Sequence, residues 1–116
     1  MNLGTRVEFN NVIALRQWSY QADVATVVPP DTELAINWAH PFRKSGHRIY
    51  EVGKCLPLFE TKGEGKFTRA LGLVQLKYYG VEITPVGLET FGEYMIKKVF
   101  TEGESKLWLA IYANRL

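Results

Sequence analysis

The residues of this chain that are best suited to chemistry are the basic side chains of its central third. Residues 43 to 69 hold seven lysines and arginines against three glutamates, a net charge of +4, although the whole chain carries only +2. Arginine binds phosphate or carboxylate oxygens two at a time, and lysine adds a compact point charge. The sequence therefore predicts an anion-binding face, built from Arg43, Lys44, Arg48, Tyr50, Lys54, Lys66, Arg69 and Trp38.

Aromatic residues are interleaved with these charges, namely Phe42, Tyr50, Phe59 and Phe67. Aromatic faces beside basic groups are typical of sites for flat anionic ligands such as nucleotides. A nucleic-acid-binding module is one alternative, but the pI of 8.7 is below the value of about 9 that usually marks such domains. A second alternative is a small-molecule pocket lined by aromatic residues of a curved sheet.

Other motifs carry less specific chemistry. The run Gly63-Glu64-Gly65-Lys66 has one residue between its glycines, whereas a phosphate-binding loop needs four, so it predicts a hairpin turn. Cys55, with His40 or His47 as its base, is the enzymatic alternative. However, the leucines that follow Cys55 are typical of a packed strand, and the histidine spacing matches no zinc pattern. The prediction is a non-enzymatic protein with neither metal nor cofactor.

Composition indicates one domain over residues 1–116, because 47% apolar and 22% charged residues are ordinary for a globular chain of 116 residues. A single cysteine excludes an intramolecular disulfide framework. There is no apolar run of 18 residues and no secretory signal pattern at the N-terminus, so no membrane association is predicted and the predicted location is cytoplasmic.

Several segments rich in β-branched and aromatic residues predict strands: residues 6–15, 19–28, 33–39, 47–52, 54–60 and 70–79. A helix is predicted after Thr84-Pro85, because Leu88, Phe91, Met95 and Val99 recur at helical spacing. Together these elements predict an α+β fold with a curved, mainly antiparallel sheet of six to eight strands, packed on one amphipathic helix in the C-terminal half. The alternative is an all-β barrel in which residues 93–100 form a strand.

The last segment, from Leu107 to Ala113, is apolar on both faces if it is extended. A strand of that kind is typical of a sheet centre or of a subunit interface. The sequence therefore predicts self-association through this segment. The predicted function is a homo-oligomeric binding or accessory protein with a basic and aromatic face over residues 40–69.

Overall fold

The computed structural model describes residues 7–113, which form seven strands, one α-helix and a single 3₁₀ turn at Asp31–Glu33. The strands are β1 Val7–Asn10, β2 Ile13–Arg16, β3 Ala39–Ser45, β4 His47–Tyr50, β5 Cys55–Thr61, β6 Phe67–Thr84 and β7 Gly87–Val99, followed by helix α1 Glu102–Ala113. The predicted fold class is confirmed: the chain is α+β, with a curved, nearly closed sheet and one helix in the C-terminal half.

Five strands form the main sheet in the order β2-β5-β6-β7-β3, and β1 pairs with β4 in a separate two-stranded sheet. The pairs β5-β6, β6-β7 and β3-β7 are antiparallel, whereas β1-β4 and β2-β5 are parallel. The register between β6 and β7 shifts twice, between Leu73 and Val74 and between Leu76 and Tyr78. Such bulges increase twist and bend the strands, which gives this sheet its curvature.

The predicted helix after Thr84-Pro85 is wrong, because this segment is the long strand β7. Its buried positions are Thr90, Gly92, Tyr94 and Ile96, which alternate with half-buried residues at the period of a strand. The apolar residues at helical spacing, Leu88, Phe91, Met95 and Val99, are only half-buried. The barrel alternative was therefore right about residues 93–99, which are held extended by hydrogen bonds to β6 and, as far as Met95, to β3. Phe100 lies just beyond the end of β7.

The predicted strand from Leu107 to Ala113 is also wrong, because this segment belongs to helix α1. The backbone amide of Glu104 donates to Thr101 Oγ1 (3.2 Å), and the amide of Thr101 donates to Glu104 Oε1 (3.0 Å). This reciprocal pair is a capping box, which starts a helix. Self-association through residues 107–113 stays a prediction, with helical Leu107 and Ile111 exposed one turn apart.

One face of α1 packs on the sheet through aromatic rings. Trp108 stacks on Phe100 with ring centroids 5.2 Å apart, and Tyr112 contacts Phe59 at 5.0 Å. Ser105 Oγ accepts a hydrogen bond from the amide of Ala70 on β6 (3.1 Å). These contacts cover one face of the sheet. The four aromatic residues of the basic segment also pack against other rings, Phe42 against Tyr50 and Phe59 against Phe67.

The N-terminal third has fewer strands than predicted. The predicted strand over residues 6–15 begins at Arg6, which lies outside the described residues, and residues 7–15 are divided between β1 and β2. Most of residues 19–28 and 33–38 are irregular. Asp23 explains part of this, because its Oδ1 accepts from the amide of Ala25 (3.0 Å) and its carbonyl accepts from Thr26 Oγ1 (2.7 Å). Asp side chains that bond the local backbone in this way favour turns over strands.

The core lies inside the curved sheet and is formed by Ile13, Leu15, Val28, Phe42, Tyr50, Leu56, Leu58, Leu71, Val74, Leu76, Tyr94 and Ile96. Among residues 7–113, the one α-helix has 12 residues and is too short to cross a membrane.

Candidate functional site

A polar cavity of about 600 Å³ lies where the β1-β4 sheet, strand β2, the end of β3 and the β5-β6 turn meet. We refer to it as the basic cavity. It is lined by Glu8, Asn10, Val12, Ala14, Arg16, Thr26, Arg43, Lys44, Ser45, Arg48, Tyr50, Thr61, Gly63, Glu64, Gly65 and Phe67. Four of its residues are cationic and two are acidic, so the basic residues that were predicted to form a site partly converge here.

The β1-β4 register builds one wall of the basic cavity. Glu8 pairs with Arg48 and Asn10 with Tyr50, and these alternate positions share one face of the two-stranded sheet. Arg48 Nη1 donates to Asn10 Oδ1 (3.0 Å) and lies 3.4 Å from Glu8 Oε2, while Arg48 Nε donates to the carbonyl of Ser45 (2.9 Å). The Arg48 guanidinium is therefore held in a fixed orientation at the cavity wall.

Lys44 and Arg16 are the two cations of the basic cavity that take part in no ion pair among the described residues. Its Nζ donates a hydrogen bond to the carbonyl oxygen of Ala14. Burial, together with the charges of Arg48 and Arg16, lowers the pKa of Lys44 to about 8. None of the ion pairs among the described residues includes Lys44. At neutral pH this wall thus carries an ammonium group that is short of both water and a carboxylate.

Arg16 forms the opposite wall through the parallel pairing of β2 with β5. This pairing places Arg16 opposite Thr61, beside the turn that joins β5 to β6. Arg16 Nη1 donates to the carbonyl of Lys62 (2.8 Å). A Cβ at Gly63 would lie 2.7 Å from Arg16 Nη2, so only glycine allows this close approach of the guanidinium to the backbone.

The turn beneath Arg16 has backbone amides available to an anion. Gly63, Glu64 and Gly65 all have positive φ, and Thr61 Oγ1 fixes the turn by accepting from the Gly63 amide and donating to the Lys66 carbonyl. Within residues 7–113, the amides of Glu64 and Gly65 donate no hydrogen bond. Consecutive amides in such conformations form anion-binding concavities. The predicted hairpin turn is present, and it also lines the cavity.

Tyr50 lines the basic cavity at its boundary with the hydrophobic core. Its side chain is 3% exposed, and its hydroxyl group has no hydrogen-bond partner among the described residues. Burial raises the pKa of Tyr50 to about 12, while the nearby Arg48 charge acts in the opposite direction. A buried hydroxyl group without a partner costs free energy, so a ligand that bonds it recovers this cost.

Of the predicted site residues, Arg43, Lys44, Arg48 and Tyr50 line the basic cavity. Arg43 differs from the others because its Nη1 lies 2.5 Å from Glu82 Oε1 and 2.7 Å from Glu89 Oε1. These hydrogen bonds raise the pKa of Arg43, and the two carboxylates compensate its positive charge. Lys66 is exposed between two residues that line the cavity, and its own side chain does not line it.

The other three predicted residues lie outside the basic cavity. Lys54 Nζ is 3.0 Å from Glu51 Oε1, and Arg69 Nη2 is 2.9 Å from Asp31 Oδ1. Trp38 is half-exposed immediately before β3. Lys54 and Trp38 lie just before strands β5 and β3, and Arg69 lines a different cavity, between α1 and β6.

Sequence reasoning missed Arg16, Asn10 and the backbone amides of the turn. Arg16 lies 46 residues from Lys62, to which it is bonded, and the two meet only because β2 runs parallel to β5. A parallel pair has no short turn that would mark it in a sequence. The glycines of the turn were the one available signal.

A second cavity of about 560 Å³ lies between α1 and β6 and is mainly apolar. The cation at its edge, Arg69, is paired with Asp31 and is 3.5 Å from Glu60 Oε2. The residues of the enzymatic alternative lie elsewhere: Cys55 is exposed at the start of β5, and His40 Nε2 is 3.0 Å from the carbonyl of Glu33. The described part of the chain has no cluster of three potential metal ligands.

Comparison with known proteins adds information on the fold. No protein-family model matches this chain, and no curated protein matches it in sequence. A solved structure with a similar fold is protein ytmB from Bacillus subtilis, with 20% sequence identity and a TM-score of 0.55. The match covers 86% of this chain and 98% of that protein. At this identity the similarity extends to the fold alone.

Proposed function

We propose that this protein is a non-enzymatic binding protein that takes a small anion bearing phosphate or carboxylate groups in the basic cavity. The observation that carries the proposal is Lys44, a half-buried cation with no carboxylate partner among the described residues, which shares the cavity with the guanidinium groups of Arg16 and Arg48. Proteins seldom bury an uncompensated charge, because its desolvation is costly. An anionic ligand supplies the missing compensation.

The distribution of the other charges favours a small ligand over a nucleic acid. Most of the remaining cations have carboxylate partners, as in the pairs Lys77–Glu93, Lys98–Glu104 and Lys106–Glu102. A nucleic-acid interface needs an extended row of free cations that follows the phosphate backbone. Here Lys44 and Arg16, which have no carboxylate partner among the described residues, lie in one concave site of about 600 Å³, a volume typical of small-molecule pockets.

The experiment is calorimetric titration with inorganic pyrophosphate, at low and at high ionic strength. Wild-type protein should bind, and its affinity should fall with added salt because exposed charges are screened. Arg48→Gln should weaken binding about tenfold, since it removes a charge-assisted hydrogen-bond donor from the cavity.

Arg69→Gln is the matched control, because it removes the same charge from a residue outside the basic cavity. Its affinity for pyrophosphate should equal that of the wild type. Equal affinity of Arg48→Gln and wild type, or binding that is insensitive to salt, would refute the proposal.

A pair of tyrosine variants separates binding from packing. Tyr50 and Tyr94 are both buried and their hydroxyl groups have no hydrogen-bond partner within residues 7–113, but of the two only Tyr50 lines the basic cavity. Tyr50→Phe and Tyr94→Phe should therefore each leave the free energy of unfolding unchanged or raise it by about 1 kcal/mol. Titration with pyrophosphate should show weaker binding for Tyr50→Phe alone. A similar loss of affinity in both variants would assign the effect to packing.

A further inference from the structure

We infer that Lys44 forms a reversible imine with anionic aldehydes or ketones that enter the basic cavity. The inference rests on the proposed function, because the anionic part of such a compound would be held by Arg16 and Arg48. It goes further by assigning a covalent step to one atom, Lys44 Nζ, and by naming the ligand class: carbonyl compounds that also bear a phosphate or carboxylate group.

The geometry places a nucleophile beside anion-binding groups. Lys44 lies near the end of β3 and lines the cavity together with Arg48 of β4 and Arg16 of β2. Its Nζ is bonded to the carbonyl of Ala14, an acceptor that orients the nitrogen and leaves its charge uncompensated. A carbonyl compound whose anionic group binds the two guanidinium groups would place its carbonyl carbon near this nitrogen.

The protonation state of Lys44 suits attack on a carbonyl group, which requires a neutral amine. A lysine at the usual pKa of 10.5 is neutral in about three molecules per ten thousand at pH 7, whereas a pKa of about 8 makes about one in ten neutral. Nucleophilic lysines are activated in this way, by burial or by neighbouring cations.

The charged groups around Lys44 come from several elements. Arg48 and Arg16 lower the pKa of Lys44, and Glu8 on β1 raises it. The positive charge of Arg43 is compensated by the carboxylates of Glu82 and Glu89. The other ionisable residues that line the cavity are Glu64 of the turn and Tyr50 of β4. A bound anion would offset the guanidinium charges and would therefore stabilise the positively charged, protonated imine that the step produces.

The step balances without any further reactant. The lone pair of Lys44 Nζ forms a bond to the carbonyl carbon, and the carbonyl oxygen takes a proton that this nitrogen releases, which gives a carbinolamine. The hydroxyl oxygen then takes one proton from solvent, the C–O bond breaks, water leaves, and the nitrogen lone pair forms a protonated C=N bond. Nothing is oxidised or reduced, and hydrolysis reverses the step by returning the amine and the carbonyl compound.

The test uses pyridoxal 5′-phosphate as the probe, with pyridoxal as the same aldehyde without the phosphate. After borohydride reduction, peptide mass spectrometry locates the adducts. Labelling at Lys44 should exceed that at each of the other seven lysines at least tenfold, should rise between pH 7 and 9, and should fall when pyrophosphate competes. Pyridoxal should label Lys44 much less.

Two matched variants complete the test. Lys44→Arg retains the charge and should still bind pyrophosphate, but it should lose the selective adduct. Lys97→Arg alters an exposed lysine on β7 outside the cavity and should label at Lys44 as the wild type does. If all lysines are labelled to the same extent while the protein still binds pyrophosphate, the proposed imine at Lys44 is refuted and the proposed function is retained. If wild-type protein fails to bind pyrophosphate as well, both inferences are refuted.

Discussion

Lys44→Met is expected to make the protein more stable and to weaken its anion binding at the same time. Burial lowers the pKa of Lys44, which means that the folded state carries the ammonium group at a cost. Removing it should raise the free energy of unfolding at pH 7 by about 2 kcal/mol, a value reduced to allow for the partial exposure of the side chain and the lost bond to Ala14. Pyrophosphate affinity should fall at least tenfold.

The stability that Lys44→Met gains over wild type is expected to decrease as the pH rises. Between the folded pKa of about 8 and the ordinary 10.5, the unfolded chain binds a proton that folded Lys44 has released. Wild-type stability therefore rises with pH in this window, and the advantage of Lys44→Met narrows. Urea unfolding of both proteins from pH 6 to 9.5 measures this difference, below the range in which tyrosines ionise. Lys97→Met, an exposed lysine, should change stability by less than about 0.5 kcal/mol at every pH.

A Lys44→Met variant that is less stable than wild type at pH 7 would contradict this account. That result would mean that the ammonium group is well compensated in the folded protein. The argument for an anion in the basic cavity would then lose its main support.

Gly92→Ala is expected to cause a large loss of stability. Gly92 is buried on β7 beside the bulge at Tyr78, and an added Cβ would overlap the Tyr78 carbonyl oxygen. It would also lie 2.8 Å from Tyr79 Cα and 2.9 Å from Phe42 Cε1. Two of these atoms are backbone and cannot rotate away, so we expect a loss of about 3 kcal/mol. Urea unfolding followed by tryptophan fluorescence measures it.

Gly103→Ala is the matched control for this substitution. Gly103 lies in the first turn of α1, where an added Cβ would have no heavy atom within 4 Å. Alanine has the higher helix propensity, so this variant should gain about 0.5 kcal/mol. Equal changes in the free energy of unfolding for the two substitutions would show that the backbone near the bulge between Leu76 and Tyr78 can shift to accommodate a Cβ. The close approach of β6 and β7 would then not be required for stability.

Elements with one clear local signal could be predicted from the sequence. Strand β6 was expected over residues 70–79 because its side chains alternate, and it extends from Phe67 to Thr84. Two other elements were predicted with the wrong type. Residues 87–99 form a strand where a helix was predicted, and residues 102–113 form a helix where a strand was predicted. In β7 the pattern misled because the buried face includes Gly92 and Thr90, two residues that contribute little apolar signal. In α1 the capping box of Thr101 and Glu104 was a local sign of a helix.

The candidate site could likewise be predicted from the sequence only in part. Arg43, Lys44, Arg48 and Tyr50 belong to one basic segment, and the sequence alone was enough to single them out. Whether each cation is paired with a carboxylate depends on residues far along the chain: Arg43 meets Glu82 and Glu89, whereas Lys44 donates to the carbonyl of Ala14 and has no ion pair within residues 7–113. Residue types cannot show this difference.

The sequence by itself therefore determined the α+β composition, the excess of positive charge in the central third and the turn at Gly63 to Gly65. Only the tertiary structure decided that β1 and β2 pair in parallel with β4 and β5, and thus that Arg16 and Lys44 line one cavity. The physical reason is that charge and periodicity are local properties of a chain. The burial and pairing of a given charge are set instead by strand register between distant segments.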